Sequence, residues 1–163
     1  MSKHTLLYIC ACGLAIALLS ACDNATVYNE YQHLPESGWE KNDTVVFDIP
    51  PMTEDGQYKE EVALRCRDDY PLLDLYLIVE QMLLPSHEQV IDTLFCRIYD
   101  ENGNANGYGV STFQYQFHLN TLPMRKGESL RIAIRHDMKR EILPGICDIG
   151  IRLSKQEKRG QVD

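Results

Sequence analysis

With 163 residues, 44% of them apolar and 25% charged, the chain is long enough for one ordinary hydrophobic core and short for two. Its 24 acidic against 16 basic residues leave a formal charge of -8, which excludes phosphate backbones as partners, since those require a positive footprint. Nucleic-acid binding is set aside on that ground, and composition by itself names no activity.

Residues 1–21 read as a lipoprotein signal peptide: Lys3 and His4 precede an apolar run from Leu6 to Leu19, and the segment closes Leu19-Ser20-Ala21-Cys22. The run of about 14 residues is shorter than the ~20 that a membrane-spanning helix needs. Leu-Ser-Ala-Cys has the form of a lipobox, in which small residues fit the peptidase and the cysteine thiol is diacylated before cleavage leaves it at the N-terminus. Lipidation of Cys22, with palmitate among the acyl groups, would hold the mature chain at an envelope surface, because several chains at ~0.8 kcal/mol per buried methylene anchor where one is marginal. Cleavage removes one lysine and no acid, so the mature formal charge is about -9. Residues 22–27 follow as the lipidated cysteine and a tether, residues 28–153 as the folded domain and residues 154–163 as a polar tail.

From Asp43 onward apolar residues occupy every second position, the signature of half-buried strands. The runs are Val45, Phe47, Ile49; Val62, Leu64, Cys66; Leu75, Leu77, Val79; Leu94, Cys96, Ile98; Phe113, Tyr115, Phe117, Leu119; Leu130, Ile132, Ile134; and Cys147, Ile149, Ile151, Leu153. Arg65, Gln114, Gln116, His118 and Arg131 fall on the opposite, wet faces. Turn signals separate the runs at Pro50-Pro51, Asp69-Tyr70-Pro71, Pro85-Ser86, Asp100 to Gly109 and Pro123 to Gly127. The pattern predicts an all-β fold, an antiparallel β-sandwich of about seven or eight strands, with one short helical crossover over Asp137–Ile142.

Residues with chemical potential each have a structural explanation beside the functional one. Cys66, Cys96 and Cys147 fall in the apolar phase of their strands, without a Cys-x-x-Cys or a histidine in the same segment. They read as core side chains rather than metal ligands, with one disulfide open between an unspecified pair. Asp100, Asn102, Asn104 and Asn106 place oxygens at alternate positions as a calcium loop does, but Ala105 and Ser111 stand where an EF-hand-type loop carries Gly and Glu. A hairpin turn explains the same letters, and no metal or other cofactor is expected. Asp68, Asp69 and Asp74 carry no spacing that demonstrates a glycosidase pair, and a Gly-x-Ser-x-Gly elbow is absent, so no catalytic residue is assigned. His33, His87, His118 and His136 sit in polar contexts or at strand ends and read as solvated or turn residues. Trp39, with Tyr28 and Tyr31, reads as a plug for the end of the sandwich. Arg135, Lys139 and Arg140 stand beside Met138, Ile142 and Leu143, and Met138, Arg140, Leu143 and Pro144 form a candidate partner-docking surface.

Four segments together resemble the gliding motility lipoprotein GldH family of the Bacteroidota. They are Tyr28-Asn29-Glu30-Tyr31-Gln32 running to Trp39 and Asp43; Asp68-Asp69-Tyr70-Pro71 with Asp74-Leu75-Tyr76-Leu77; Asp92-Thr93-Leu94 leading to the glycine loop; and Met138 through Leu143-Pro144-Gly145-Ile146 with Asp148 and Gly150. The resemblance implies a non-enzymatic envelope lipoprotein that acts as an adaptor or scaffold of the gliding motility and type IX secretion apparatus. Its partners would then be envelope proteins of that machinery and a membrane reached through the lipid anchor, the outer membrane rather than the inner. The rival from another class is a glycan- or peptide-binding sandwich, for which Tyr76, Tyr99, Tyr108 and Trp39 are the candidate exposed aromatics.

Overall fold

Successive side chains of a strand point to opposite faces, so a period-two sequence buries one face only when a second dry face covers it. The computed structural model describes residues 26–156, and each of the seven alternating runs lies in or ends beside one of its strands. In chain order these are β1 (Thr26–His33), β2 (Trp39–Glu40), β3 (Val45–Ile49), β4 (Gly56–Arg67), β5 (Asp74–Leu84), β6 (Glu88–Arg97), β7 (Tyr108–Gly109), β8 (Thr112–Met124), β9 (Ser129–His136), β10 (Ile142–Leu143) and β11 (Ile146–Lys155). A five-stranded sheet in the order β1-β11-β4-β8-β7 faces a four-stranded sheet in the order β3-β9-β5-β6, and β10 and β2 form a small ladder of their own. All pairings are antiparallel, and the fold is an all-β sandwich.

The core lies between the two larger sheets. Val62, Leu64, Ile149 and Ile151 from one side meet Phe47, Leu75, Leu77, Ile132 and Ile134 from the other in one buried cluster. Two bulges keep that face continuous where the alternation breaks. Glu61 lies opposite His118 and Glu60 opposite Asn120, so Leu119 is an extra residue in β8, and the inward phase passes from Tyr115 to Met124. In β11, Cys66 lies opposite Ile146 and Arg65 opposite Asp148, which leaves Cys147 as the extra residue. Cys147 is therefore only half buried, out of the phase that Ile149, Ile151 and Leu153 keep.

Three boundaries differ from the sequence expectation. β1 begins at Thr26, within the expected tether, and pairs there with Ser154, itself expected in the tail; β11 continues to Lys155. The helical crossover over Asp137–Ile142 is absent. The Asp137 N–H instead donates to the Tyr76 carbonyl at 2.8 Å and prolongs the sheet, while Ile142 and Leu143 pair with Glu40 and Trp39. Six residues tied at both ends to ladders have no free turn in which to nucleate a helix.

The strand directions give the sandwich two distinct poles. β1 starts at the near pole, where β11 and β8 end and β4 starts, and where the loops 50–55 and 125–128 join the sheets. The far pole collects β2, β10, the turn 68–73, the loop 98–107 and β7. Two glycines there separate backbone strain from crowding. Gly145 (φ +87°) and Gly103 (φ +81°) share a left-handed conformation, but a Cβ on Gly145 would stand 2.7 Å from Tyr70 Cα, whereas one on Gly103 meets nothing within 4 Å. Gly103→Ala should lower stability by about 1 kcal/mol, the cost of positive φ alone. Gly145→Ala should lower it several-fold more, because backbone atoms cannot move aside. Urea unfolding of both variants checks this, and equal losses would contradict the crowding.

Candidate functional site

The far pole is assembled around tyrosines. Tyr70 is buried, donates its N–H to the Arg67 carbonyl and its hydroxyl to the Asp74 carbonyl, and so closes the turn between β4 and β5. Its ring stacks on Tyr99 at 6.5 Å, and the Tyr99 hydroxyl donates towards the Arg67 and Asp68 carbonyls. The Arg67 N–H reaches the Gly145 carbonyl at 2.7 Å and the Asp68 N–H the Ser111 carbonyl at 3.2 Å, which ties the turn to the start of β11 on one side and to the β7–β8 hairpin on the other. Trp39 plugs this end as expected: it is fully buried, its Nε1–H donates to the Asp43 carbonyl, and His136 stands edge-on to it at 5.4 Å.

His136 departs from the solvated reading given to all four histidines. It is buried, and desolvation lowers its pKa. Hydrogen bonds at the Trp39 carbonyl and the Met138 N–H fix a neutral imidazole with the proton on Nε2. Its apolar-phase position in β9, two residues after Ile134, was the available signal. His33, His87 and His118 are exposed.

Cys66, Cys96 and Cys147 are free thiols. Burial pushes the Cys66 thiol up to about 12 and raises Cys96 as well, so both stay protonated and unreactive at neutral pH. Asp100 turns its carboxylate onto its own loop: Oδ1 accepts the N–H groups of Asn102 and Asn104, and Oδ2 the side-chain amide of Asn104, all within 2.9 Å. These bonds hold its carboxyl below the usual range. Such an arrangement is an Asx-type turn in which the loop's own amides occupy the oxygens; Asn106 donates its N–H to the Ile98 carbonyl and is part of the same turn. Cys22 lies outside the described residues.

The docking surface expected at Met138, Arg140, Leu143 and Pro144 is corrected by burial. Leu143 is 0% exposed, paired with Trp39 in the β2–β10 ladder, and lies beneath that surface. Met138 is half buried, its sulfur accepting the Tyr76 N–H, and Pro144 is half buried; only Arg140 is open. A charge placed at Leu143 would act on folding rather than on docking. Apolar exposure lies elsewhere. Tyr76 and Phe95 stand side by side on the outer face of the smaller sheet, 5.2 Å apart, with the Arg97 guanidinium over Phe95 at 5.5 Å. Tyr108 and Val110 project from the far pole at 88% and 92% exposure. Of the aromatics considered for a binding row, Trp39 is buried and Tyr99 half buried, so no row forms.

Residues 26–153 match the sequence profile described as GldH lipoprotein, a span that takes in both sheets and both poles. The chain belongs to the GldH lipoprotein family. It is 30% identical over 151 residues to the gliding motility lipoprotein GldH of Flavobacterium johnsoniae, covering 88% of this chain and 94% of that one. A GldH homologue of Christiangramia forsetii is 26% identical over 87% of this chain and 91% of its own. Among solved structures, a family GH115 4-O-methyl-alpha-glucuronidase, BtGH115A, aligns with 83% of this chain and 18% of its own at 14% identity and a TM-score of 0.44, a likeness too low to bear on activity. The protein is thus a gliding-motility-family lipoprotein of the cell envelope, anchored to a membrane. The four segments that resemble GldH meet in space: Tyr70 lies on Gly145, Trp39 pairs with Leu143, and Leu94 pairs with Leu77.

One polar site was missed. Glu60 is fully buried between the sheets; its Oε2 accepts the Gln81 amide at 2.9 Å and its Oε1 has no partner among the described residues. Burial raises its pKa, the Gln81 hydrogen bond partly offsets this and the Asp92 charge adds to it, for a net value of about 8. Its position two residues before Val62, in the inward phase of β4, was legible. The folded state keeps this proton while the unfolded state loses it near pH 4.5. Stability therefore falls as pH rises from about 4.5 to about 8 and is level beyond. Glu60→Gln removes that slope: relative to wild type it should gain stability from pH 5 to pH 8, by up to a few kcal/mol. Parallel urea curves at the two pH values measure it, and an unchanged difference would place the proton elsewhere.

Proposed function

We propose that the protein is a membrane-tethered, non-catalytic adaptor or scaffold of the gliding motility and type IX secretion apparatus, lipidated on Cys22 and seated in the outer membrane. Family membership supports the setting. The observation that carries the adaptor reading is the polarity of the sandwich: β1 starts at the near pole four residues after Cys22, while Tyr108 and Val110, the most exposed large apolar side chains among the described residues, stand at the opposite pole. β8 has 13 residues and runs between the poles, so it sets them about 40 Å apart at ~3.3 Å per residue. A short tether holds one end at the lipid and presents the other to the envelope space. The far pole contributes hydrogen-bonded tyrosines, protonated thiols and a carboxylate satisfied by its own loop, which is the equipment of a rigid platform.

Two measurements test this. Cys22→Ala should move most of the protein from the membrane fraction to the soluble one while the melting temperature of the folded domain stays unchanged. Retention in the membrane fraction would overturn the anchor. Affinity purification of the full-length protein from native envelopes in mild detergent should recover secretion or gliding components together with an acylated Cys22, and an acylated protein that brings none of them would overturn the adaptor role.

A further inference from the structure

Single exposed apolar residues are ordinary on soluble proteins, but Tyr108 and Val110 are nearly bare and are held out by a built turn. Tyr108 and Gly109 pair with Gln114 and Phe113. Gly109, at φ +152°, stands so close to the Thr112 carbonyl that a Cβ would meet it at 2.0 Å, and a Cβ on Gly107 would meet the Tyr115 ring at 2.8 Å. The Asp68–Ser111 backbone hydrogen bond fixes the hairpin to the Tyr70 turn. A preformed apolar projection of this kind gives up little conformational freedom on binding.

The surroundings are acidic. Asp68 and Asp69 are exposed beside the hairpin, Glu101 is exposed in the neighbouring loop, and Arg67 is already paired with Asp69 at 3.1 Å. Glu36 also acts on Arg67 from the turn after β1. We infer that the Tyr108–Val110 hairpin with its Asp68–Asp69 rim is the surface that docks a partner protein, through an apolar pocket on that partner bordered by lysine or arginine. This rests on the adaptor reading for its upright orientation. Anionic lipid headgroups are disfavoured by the acidic rim. A second copy is disfavoured twice: two copies on one membrane hold their hairpins side by side rather than opposed, and their rims carry the same charge.

The experiment is photocrosslinking in intact cells, with a benzophenone amino acid replacing Tyr108, Val110 or, as a near-pole control, the exposed Lys126. Positions 108 and 110 should yield a discrete protein adduct and position 126 should not. Asp68→Lys with Asp69→Lys in the same chain should reduce the adduct at least tenfold with an unchanged melting temperature, since both side chains are exposed. In isolated envelopes, raising the salt should weaken it as charge steering is screened. An adduct insensitive to the charge reversal, one containing only this chain, or one made with lipid would overturn the inference. Adducts from position 126 alone would overturn it while leaving the adaptor reading in place, and no protein adduct from any position would overturn both.

Discussion

The far pole depends on a contact that only glycine permits. Gly145 approaches Tyr70 so closely that its missing Cβ would fall 2.7 Å from the Tyr70 Cα, and its carbonyl accepts the Arg67 N–H. That approach seats the start of β11 under the β4–β5 turn. Tyr70, held there, stacks on Tyr99; Tyr99 reaches the Arg67 and Asp68 carbonyls; and Asp68 in turn holds Ser111 of the hairpin. The position of the exposed Tyr108 and Val110 thus follows from a backbone junction buried beneath them. The same segment, one step earlier, supplies Leu143 to the ladder with Trp39, so the plug and the hairpin share one support.

Against this rigid pole stands a conflict within the core. A buried carboxyl with one unpartnered oxygen opposes folding, and apolar replacements of such groups are often neutral or stabilising in other proteins. Here Glu60 reaches from β4 in one sheet to Gln81 of β5 in the other, a side-chain to side-chain hydrogen bond buried at both ends. Slipping β4 by one residue would turn Glu60 outward and bring Lys59 or Glu61 inward, removing that bond. The pair therefore discriminates between registers of a strand whose remaining inward residues are all apolar.

Seven strands were legible because their inward residues are apolar and most of their outward ones polar, which writes the alternation directly into the sequence. β1 was less so: of its eight residues only Tyr28 is buried, so an edge strand reads like a tether. Bulges escape a pattern search because the apolar count survives them; Cys147 kept the expected parity with Ile149 and still left the core. The Met138–Leu143 stretch misled twice. Its short apolar spacing resembles a helical turn, and its basic neighbours resemble a binding surface, yet Leu143 is apolar because it is buried against Trp39. Glu60 and His136 were readable in principle, since both stand in the inward phase, but polar letters flanking an apolar run pass as solvated ones. Tyr108 stood among the candidate exposed aromatics, but Val110 gave no signal, because exposure in a glycine-rich turn is set by backbone geometry and not by composition.

A small rigid projection is sufficient for an adaptor because of the anchor. Confinement by the proposed tether would raise effective concentration to the millimolar range, so a contact of only about -4 to -5.5 kcal/mol would be substantially occupied. An interface of that strength needs neither a large area nor a deep pocket on this chain. It does need orientation, and the antiparallel sandwich supplies it: the start of β1 and the β7–β8 hairpin sit at opposite ends of the same five-stranded sheet, so the strands act as a strut. In the proposed adaptor the acidic body would serve the same end, since a formal charge of -8 disfavours lying flat on anionic lipid and would leave the far pole to a partner.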